Sequence, residues 1–305
     1  MKNIYDKIVE YDSIVIQRHM SPDLDALGSQ FGLFKSLKAS FPKKEIYVVG
    51  DETEKYKFMG QLDEINDDVF KKSLVIILDS GSTELVSDQR YKLAEYLIKI
   101  DHHVNRQPYG DICCVKEDFS STCEIIVEFI KDFDLEMNLD IAKTLYYGMV
   151  TDSGRFLYNS ISQRTFELAA YLFGFGINVD EVYPNIYTQS EETVRLRGYF
   201  MQNFIREGNV AFLKHTYEEL VEFDFDFFTM SRGMVNVMSG VEGIDIWCNF
   251  TEKAKNEIIC ELRSSRHPIV EVAQKYGGGG HMLACGCTLT SWEDVDKLVA
   301  DLKKY

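Results

Sequence analysis

The sequence predicts an α/β protein: a parallel sheet covered by helices in the N-terminal half of the chain, followed by a smaller α+β domain. Up to residue 121, short apolar runs alternate with longer amphipathic segments, which is typical of alternating strands and helices. One of the runs, 74–78, is apolar throughout, as expected for a strand that is buried on both faces. The last third of the chain returns to strand-like runs and contains a run of glycines at 277–280.

The first half of the chain contains the elements of the predicted parallel sheet. Strands are predicted at 13–17, 45–49, 74–78, 96–100 and 112–115. The segment 25–40, between the first two strands, has apolar residues at helical spacing. From Thr122 onward the pattern is helical, with helices predicted at 122–133, 139–150, 163–173 and 179–187.

A charged, mostly helical segment at 191–208 separates this half from the rest of the chain. We therefore expect a first domain at 1–188, a helical connector at 189–208 and a second domain at 209–305. In the second domain, strands are predicted at 210–214, 244–251 and 257–263, and helices at 232–238, 268–276 and 292–304.

The composition narrows the functional classes. Hydrophobic residues make up 45% of the 305 residues, which is enough for a packed core and excludes an intrinsically disordered chain. The net charge of −16 argues against a broad basic surface that tracks along nucleic acid. Seven scattered cysteines are typical of reduced thiols, and no apolar segment approaches the roughly 20 residues of a membrane span. We expect a cytoplasmic protein without membrane contact.

Histidine and aspartate residues follow the predicted strands where these strands end. Because the carboxyl ends of parallel strands meet at one edge of a sheet, such side chains are expected to converge. Taken singly, each has a structural alternative as a helix cap or turn residue, but the repeated placement favours one common site. The candidates are His19, Asp23, Asp25, Asp79, His102 and Asp152, the last of which follows a helix.

Their chemistry predicts a metal centre. Carboxylates and imidazoles without a thiolate favour Mn²⁺ or Mg²⁺, with Zn²⁺ or Co²⁺ as alternatives, and the imidazoles favour Mn²⁺ over Mg²⁺. Six protein ligands are too many for one catalytic ion with an open position, but they suit two ions that share a carboxylate. Such a pair can activate water and bind a phosphoryl oxygen during in-line attack.

A second candidate site lies in the C-terminal domain. The glycines at 277–280 can bring backbone N–H groups close to an anion, and His281 follows them directly. Arg263 and Ser264, at the end of a predicted strand, add donors suited to phosphate. A flexible surface loop remains the alternative interpretation of the glycine run.

Several motifs together resemble the DHH phosphoesterases, which include RecJ-type nucleases, family II pyrophosphatases and nanoRNase/pAp phosphatases. The C-terminal motifs resemble the DHH-associated substrate-binding domain, so the resemblance covers nearly the whole chain. Its length and paired domains are most similar to the nanoRNase/pAp phosphatase branch. The motifs are RHMSPDLDALGS at 18–29, LDSG at 78–81, DHH at 101–103, TDSGRF at 151–156, ELRSS at 261–265 and GGGGHMLACG at 277–286.

The resemblance implies a role for each matching residue. One metal ion would be held by His19, Asp23 and Asp79, and the other by Asp25, Asp79, His102 and Asp152, with Asp79 shared. His103 would lie near the substrate phosphate and act with Asp79 in catalysis, while Asp101 would orient a histidine ring. The active site would lie in the cleft between the domains. Substrate would be bound by Arg155, Arg263, Ser264, Gly278, Gly279, Gly280 and His281.

The expected function is hydrolysis of short oligoribonucleotides or dinucleotides such as pApA, and of 3′-phosphoadenosine 5′-phosphate. Two divalent cations are expected as cofactors, Mn²⁺ in first place, with Mg²⁺ or Co²⁺ as alternatives. Hydrolysis of c-di-AMP, pyrophosphate or polyphosphate is an alternative activity, and a catalytically silent nucleotide sensor is a further one. Homodimerisation is left open, and the sequence does not rank the nucleotide substrates.

Overall fold

The protein is described here by a computed structural model, which covers residues 1–158, 160–223 and 225–305. The chain forms two compact units, Met1–Thr188 and Gln189–Tyr305. Within the described residues, no helix combines the length and the apolar character needed to cross a membrane.

The first unit is an α/β fold. Its strands are β1 (Ser13–Gln17), β2 (Glu45–Val48), β3 (Leu74–Leu78), β4 (Tyr96–Asp101) and β5 (Ile112–Val115). Its α-helices are α1 (Lys2–Glu10), α2 (Leu24–Ser40), α3 (Asp67–Lys71), α4 (Thr122–Asp132), α5 (Leu139–Asp152), α6 (Gln163–Phe173) and α7 (Val179–Tyr187). Short 3₁₀ helices lie at Glu54–Met59, Thr83–Leu85 and Gln89–Leu93. The predicted parallel sheet is confirmed.

The strands of this unit lie in the order β2-β1-β3-β4-β5, and every neighbouring pair is parallel. The chain therefore moves from β1 to β2 on one side and returns to place β3 on the other side of β1. This reversal creates a crevice outside the carboxyl ends of β1 and β3, where open α/β sheets bind ligands.

The central strand β3 is buried on both faces of the sheet, as the apolar run 74–78 predicts. Side chains alternate between faces along a strand, so Leu74 and Ile76 join the larger core with α2, α4 and α5. Val75 and Ile77 point to the opposite face and pack with Phe70 of α3. Burial on both faces holds the strand ends, and the loops that leave them, in a fixed arrangement.

The second unit contains a mixed sheet in the order β10-β11-β9-β8-β7-β6, in which only β7 and β8 pair in parallel among the described strands. Its strands are β6 (Ile205–Glu207), β7 (Val210–His215), β8 (Ile246–Ala254), β9 (Glu257–Ser264), β10 (Gly279–Gly280) and β11 (Ala284–Leu289). Its α-helices are α8 (Glu191–Asn203), α9 (Tyr217–Phe223), α10 (Val270–Lys275) and α11 (Trp292–Leu302).

Residues 189–208 form α8 and β6, and Leu196 and Phe200 of α8 are buried in the core of the second unit. Another segment of this unit differs from the sequence-based expectation. The predicted helix at 232–238 is instead a π-helical turn at Thr229–Gly233 followed by a 3₁₀ turn at Val235–Met238. Gly233 is the last residue of the π-helical turn, and glycine favours regular helix least among residues other than proline.

Candidate metal centre

The predicted ligands come from loops and helix ends around the switch point of the first sheet. His19 follows β1, Asp79 follows β3 and His102 follows β4, while Asp25 lies in the first turn of α2. Asp152 is the last residue of α5 and comes from a different part of the fold. The topology therefore brings together residues that are far apart in the sequence.

Close packing of helices places Asp152 beside Asp25. A Cβ atom on Gly148 of α5 would lie 2.9 Å from the Asp25 Cα atom and 2.3 Å from the Cys123 Sγ atom. Glycine at this position is therefore what allows α5 to approach α2 and α4. A larger residue would push Asp152 away from the other carboxylates.

Ligand atoms from these residues fall into three groups, each with all atoms within 4.8 Å of one another. One group is His19, Asp23 and Asp79, and a second is Asp25, His102 and Asp152. A third joins Asp79, His102 and His103. Asp79 belongs to two of the groups, so its carboxylate lies where one residue can serve two neighbouring ions.

The His102 ring points into the cluster through Nε2. This atom lies 3.2 Å from Asp152 Oδ2, 3.7 Å from Asp79 Oδ1 and 3.9 Å from Asp25 Oδ2. The other ring nitrogen, Nδ1, lies 3.3 Å from the carbonyl oxygen of Phe119. A backbone acceptor for Nδ1–H fixes the tautomer that leaves the Nε2 lone pair free for a metal ion.

His19 is oriented in the same manner. Its Nδ1 lies 2.7 Å from the carbonyl oxygen of Met20, and its Nε2 lies 3.5 Å from Asp79 Oδ2. Asp23 can serve both as a helix cap and as a metal ligand, the two roles considered for it from the sequence. Its Oδ1 accepts hydrogen bonds from the backbone N–H groups of Asp25 and Ala26 as the N-cap of α2, and the residue still belongs to the first ligand group.

The N-terminus of α4 holds Asp25, and sequence reasoning missed this contact. Both carboxylate oxygens accept backbone N–H groups, Oδ2 from Thr122 at 2.7 Å and Oδ1 from Cys123 at 2.8 Å. The Thr122 hydroxyl also donates to Asp79 Oδ1 at 3.0 Å. A helix N-terminus stabilises negative charge. The predicted helix at 122 locates this N-terminus in the sequence but does not identify Asp25 as its partner.

Asp79 has a left-handed backbone conformation, with φ of 52°. Aspartate tolerates this region better than most residues, yet the conformation is still less favourable than an extended one. Asp79 is 2% exposed, and its N–H donates to the carbonyl oxygen of Ile100 at 3.0 Å. The turn after β3 therefore directs this carboxylate toward the histidines.

The carboxylates of the cluster repel one another, and the neighbouring groups do not fully neutralise their charge. Burial and the neighbouring charge of Asp79 raise the pKa of Asp25 to about 7, and burial with the charges of Asp25 and Asp79 raises the pKa of Asp152. Burial opposes charge on His19, but its hydrogen bond with Asp79, the charges of Asp79 and Asp23 and the Met20 carbonyl together raise the pKa of His19 to about 9. Crowded carboxylates that retain protons are a favourable environment for a cation.

His103 stands beside the ligand groups and is held by a buried ion pair. Its Nδ1 lies 2.9 Å from Asp101 Oδ1, and Asp101 Oδ2 lies 3.2 Å from the Lys99 ammonium nitrogen, with Lys99 and Asp101 fully buried. Burial disfavours the charged imidazole, but the hydrogen bond that His103 donates to Asp101 and the charges of Asp79 and Asp101 together raise the pKa of His103 to about 9. Lys99 was not singled out in the sequence, although it shares a strand face with Asp101.

Arg155 lies in the loop after α5, in the same unit as the metal-ligand cluster. Its backbone is left-handed, with φ of 63°, and its guanidinium carbon lies 5.1 Å from the centre of the Tyr187 ring. Stacking on an aromatic ring limits the motion of an exposed arginine and leaves its N–H groups available as donors.

The other predicted substrate-binding residues lie in the second unit. An Arg263 Nη2 donates to Glu261 Oε2 at 2.9 Å, which neutralises part of its charge. The Ser264 hydroxyl oxygen accepts the backbone N–H groups of Arg266 and His267 at 3.2 and 2.8 Å, so its own hydrogen remains a donor. Some of the hydrogen-bonding groups of Arg263 and Ser264 are therefore used within the second unit itself.

Some positions of the glycine run have no room for a side chain, whereas another does. A Cβ atom on Gly278 would lie 2.1 Å from the Gly286 carbonyl oxygen, and one on Gly280, with φ of 135°, would lie 2.7 Å from the Cys285 Cα atom. At Gly279 no described atom lies within 4 Å of such a Cβ. The backbone of His281 pairs with Ala284 in the turn that joins β10 to β11.

Comparison with known proteins assigns both units. Residues 13–149 match the DHH family, N-terminal domain, and residues 227–305 match the DHHA1 domain. A relative named bifunctional oligoribonuclease and PAP phosphatase NrnA, from Bacillus subtilis, is 34% identical over 296 residues, covering 96% of this chain and 94% of that protein. A probable NrnA from Streptococcus mutans is 33% identical over 303 residues, covering 99% and 97%.

A solved structure supports the same fold for the whole chain. The crystal structure of an exopolyphosphatase-related protein from Bacteroides fragilis aligns with a TM-score of 0.87 and 27% identity, covering 100% of this chain and 95% of that one.

Proposed function

This chain belongs to the DHH family of phosphoesterases, and we propose that it hydrolyses short oligoribonucleotides, dinucleotides such as pApA, and 3′-phosphoadenosine 5′-phosphate. The observation that carries the proposal is the convergence of Asp and His ligand atoms on Asp79 at the switch point of the sheet. The names of the two relatives, oligoribonuclease and PAP phosphatase, support the choice of substrate class.

The donor set fits two divalent cations. We assign His19, Asp23 and Asp79 to one ion, and Asp25, Asp79, His102 and Asp152 to the other. The raised pKa values of Asp25 and Asp152 support this assignment, because cations would remove the repulsion that keeps protons on these carboxylates. When bound, such ions supply Lewis-acid stabilisation of a phosphoryl group and lower the pKa of water. Carboxylates combined with imidazoles favour Mn²⁺, with Mg²⁺ or Co²⁺ as alternatives.

We assign His103 to the substrate phosphate. Its pKa of about 9 keeps the ring protonated at neutral pH, and Asp101 holds Nδ1, so Nε2–H is left to donate to a phosphoryl or leaving-group oxygen. The side chain is 41% exposed, in contrast to the buried Asp79, so substrate can reach it. Together with the ligands, this donor would stabilise negative charge that develops on the phosphate.

Arg155 of the first unit and several residues of the second unit are proposed to bind the rest of the substrate. Arg155, Arg263 and the Ser264 hydroxyl would donate to phosphate or ribose oxygens. The backbone at Gly278, Gly279 and Gly280, with His281, would contribute further donors. We extend the proposal to a cytoplasmic protein, without fixing whether it acts as a homodimer.

A turnover panel with Mn²⁺ tests this function. It should compare pApA, longer RNA oligomers, 3′-phosphoadenosine 5′-phosphate, c-di-AMP, pyrophosphate and polyphosphate. We expect the highest kcat/KM for the short ribonucleotides, and preference for pyrophosphate or polyphosphate would contradict the proposal. Binding of pApA without any cleavage would instead indicate a nucleotide sensor.

The Asp79→Ala variant tests the shared ligand. It should abolish metal-dependent hydrolysis, because both proposed ions lose a ligand. A matched control is Asp67→Asn, which removes an exposed carboxylate of α3 away from the ligand groups. Turnover retained by Asp79→Ala would defeat the two-metal assignment.

A further inference from the structure

A cavity of about 290 Å³ lies at the edge of the first sheet that carries the metal-ligand cluster. We call it the Arg18 cavity. It is formed by the residue after β1, by one side of α2 and by the segment that follows β2, and none of the six proposed metal ligands lines it. Its size is near the lower end of ordinary small-molecule pockets, which begin at about 300 Å³.

The polar wall of the Arg18 cavity carries an unused donor. The Arg18 side chain is fully buried, and its Nη1 and Nη2 donate to Asp51 Oδ1 at 3.0 Å and to the Asp51 carbonyl oxygen at 2.6 Å. Its Nε has no hydrogen-bond partner among the described residues. A buried donor without an acceptor is unfavourable, so a ligand acceptor that reaches Nε through a small movement of the cavity wall would be stabilised there.

The charge balance selects the type of acceptor. Asp51 already neutralises Arg18, and the Asp51 carboxylate also accepts the Ser21 N–H at 2.8 Å and the Ser87 hydroxyl. An anionic group would therefore meet little net positive charge in this cavity. A neutral acceptor, such as a ring nitrogen or a carbonyl oxygen, fits the remaining Nε–H better than a phosphate does.

The other walls suit a flat ring. Leu27 and Phe31, on successive turns of α2, are each 3% exposed and provide an apolar wall, and the half-buried Tyr56 provides a second aromatic side chain. Aromatic and aliphatic walls favour planar heteroaromatic groups, and every nucleobase has such a face. The cavity thus combines the two features that a base requires, apolar faces and a donor at its edge.

The Arg18 cavity and the metal-ligand cluster share a structural support. Arg18 directly precedes His19 and also donates from Nη1 to the His19 carbonyl oxygen at 3.1 Å. β2, whose following segment forms the cavity, pairs with β1. Adjacent strands are about 5 Å apart, so a group bound after β2 is a neighbour of one bound after β1.

We propose that the Arg18 cavity binds one nucleobase of the substrate while the adjacent phosphate lies at the metal-ligand cluster. This inference rests on the proposed function and deepens it, since it makes the base next to the scissile bond a determinant of turnover. Binding requires only non-covalent contacts, so it adds no chemical step.

The test measures how much a base contributes to turnover. It compares kcat/KM with Mn²⁺ for pApA and for two analogues in which one base, at the 5′ or the 3′ nucleotide, is replaced by hydrogen. For the wild type we expect one analogue to be slower by at least about 5-fold, the lower bound for one base stacked on an aromatic side chain. In Tyr56→Ala this penalty should fall toward 1, because the site has lost the ring.

Two controls separate this result from general damage. Tyr56→Phe keeps the ring and should keep the penalty. Phe58→Ala removes a neighbouring, 44% exposed aromatic residue that does not line the cavity, and it should also keep the penalty. If the melting temperature of Tyr56→Ala is too low for the assay, Tyr56→Leu gives the same comparison. An unchanged penalty in Tyr56→Ala would overturn the proposed base site, whereas a wild type that cleaves none of the ribonucleotides overturns the proposed function itself.

Discussion

The charge of Asp79 should stabilise the metal-free protein only in a limited pH range. Burial lowers the pKa of His19, but the hydrogen bond and charge of Asp79, with smaller contributions from the Met20 carbonyl and Asp23, raise it from 6.5 to about 9. A folded-state pKa that is raised means that the stabilisation is fully present below pH 6.5 and is lost as the pH rises through about 9. His19 is one-fifth exposed, so the shift corresponds to at most about 3 kcal/mol of unfolding free energy.

Replacing Asp79 by Asn removes this interaction with little change in shape. We expect Asp79→Asn to lower the free energy of unfolding by about 3 kcal/mol near pH 5.5. Near pH 9.5 the loss should vanish or change sign, because the neutral amide also relieves repulsion with Asp25 and Asp152. Below pH 4 the loss should shrink, since Asp79 is then protonated in the unfolded chain.

The assay is urea denaturation in EDTA at pH 5.5, 7.5 and 9.5, followed by circular dichroism. Asp67→Asn serves as the control, because this exposed carboxylate contacts Arg90 and no described histidine, and its effect should not change over the same range. A loss of equal size at pH 5.5 and pH 9.5 for Asp79→Asn would refute the electrostatic account and indicate a packing effect. With saturating Mn²⁺, the difference between wild type and variant should grow, because the wild type gains binding energy.

Three further predictions concern neighbouring features. Thr122→Val removes the hydroxyl donor to the Asp79 carboxylate, and Mn²⁺ affinity measured by calorimetry should fall about 10- to 100-fold. An unchanged Kd would show that this donor is dispensable. Gly278→Ala should destabilise the protein by about 1–3 kcal/mol through overpacking, while Gly279→Ala stays within about 0.5 kcal/mol, as measured by denaturation. Equal effects of these two variants would contradict the close contact between Gly278 and β11. Lys99→Met leaves the buried Asp101 without its ammonium partner and should cost about 3 kcal/mol, whereas a cost under about 1 kcal/mol would mean that the pair contributes little.

Much of the secondary structure of the first unit could be predicted from simple hydrophobic patterns in the sequence. Strands predicted at 13–17, 74–78 and 112–115 have the same bounds in the structure. Continuous burial leaves a clear signal in the first two strands, whereas 112–115 is only partly buried. The order of the strands in the sheet does not follow from these runs alone, since any parallel sheet needs strands of the same kind. The convergence of His and Asp side chains was predictable only because parallel strands end at a common edge.

Other features lack such a signal. The contacts that hold Asp25 are made by backbone N–H groups of Thr122 and Cys123, so side-chain identity does not reveal them. The β10 strand consists of two glycines, residues with low strand preference, and only its pairing with β11 defines it. Lys99 is the exception, since its spacing of two from Asp101 in a strand places both side chains on one face.

The wide separation of the ligands along the chain has a consequence for how the protein matures. The proposed metal ligands extend from residue 19 to residue 152, and Asp152 reaches the others only when α5 packs against α2. Contacts over such distances form late, because closing long loops is entropically costly. Divalent cations should therefore bind after the first unit has folded and slow its unfolding, rather than guide its folding. A nascent chain that ends before α5 would lack the complete ligand set, so catalytic competence is delayed until most of the first unit has been synthesised.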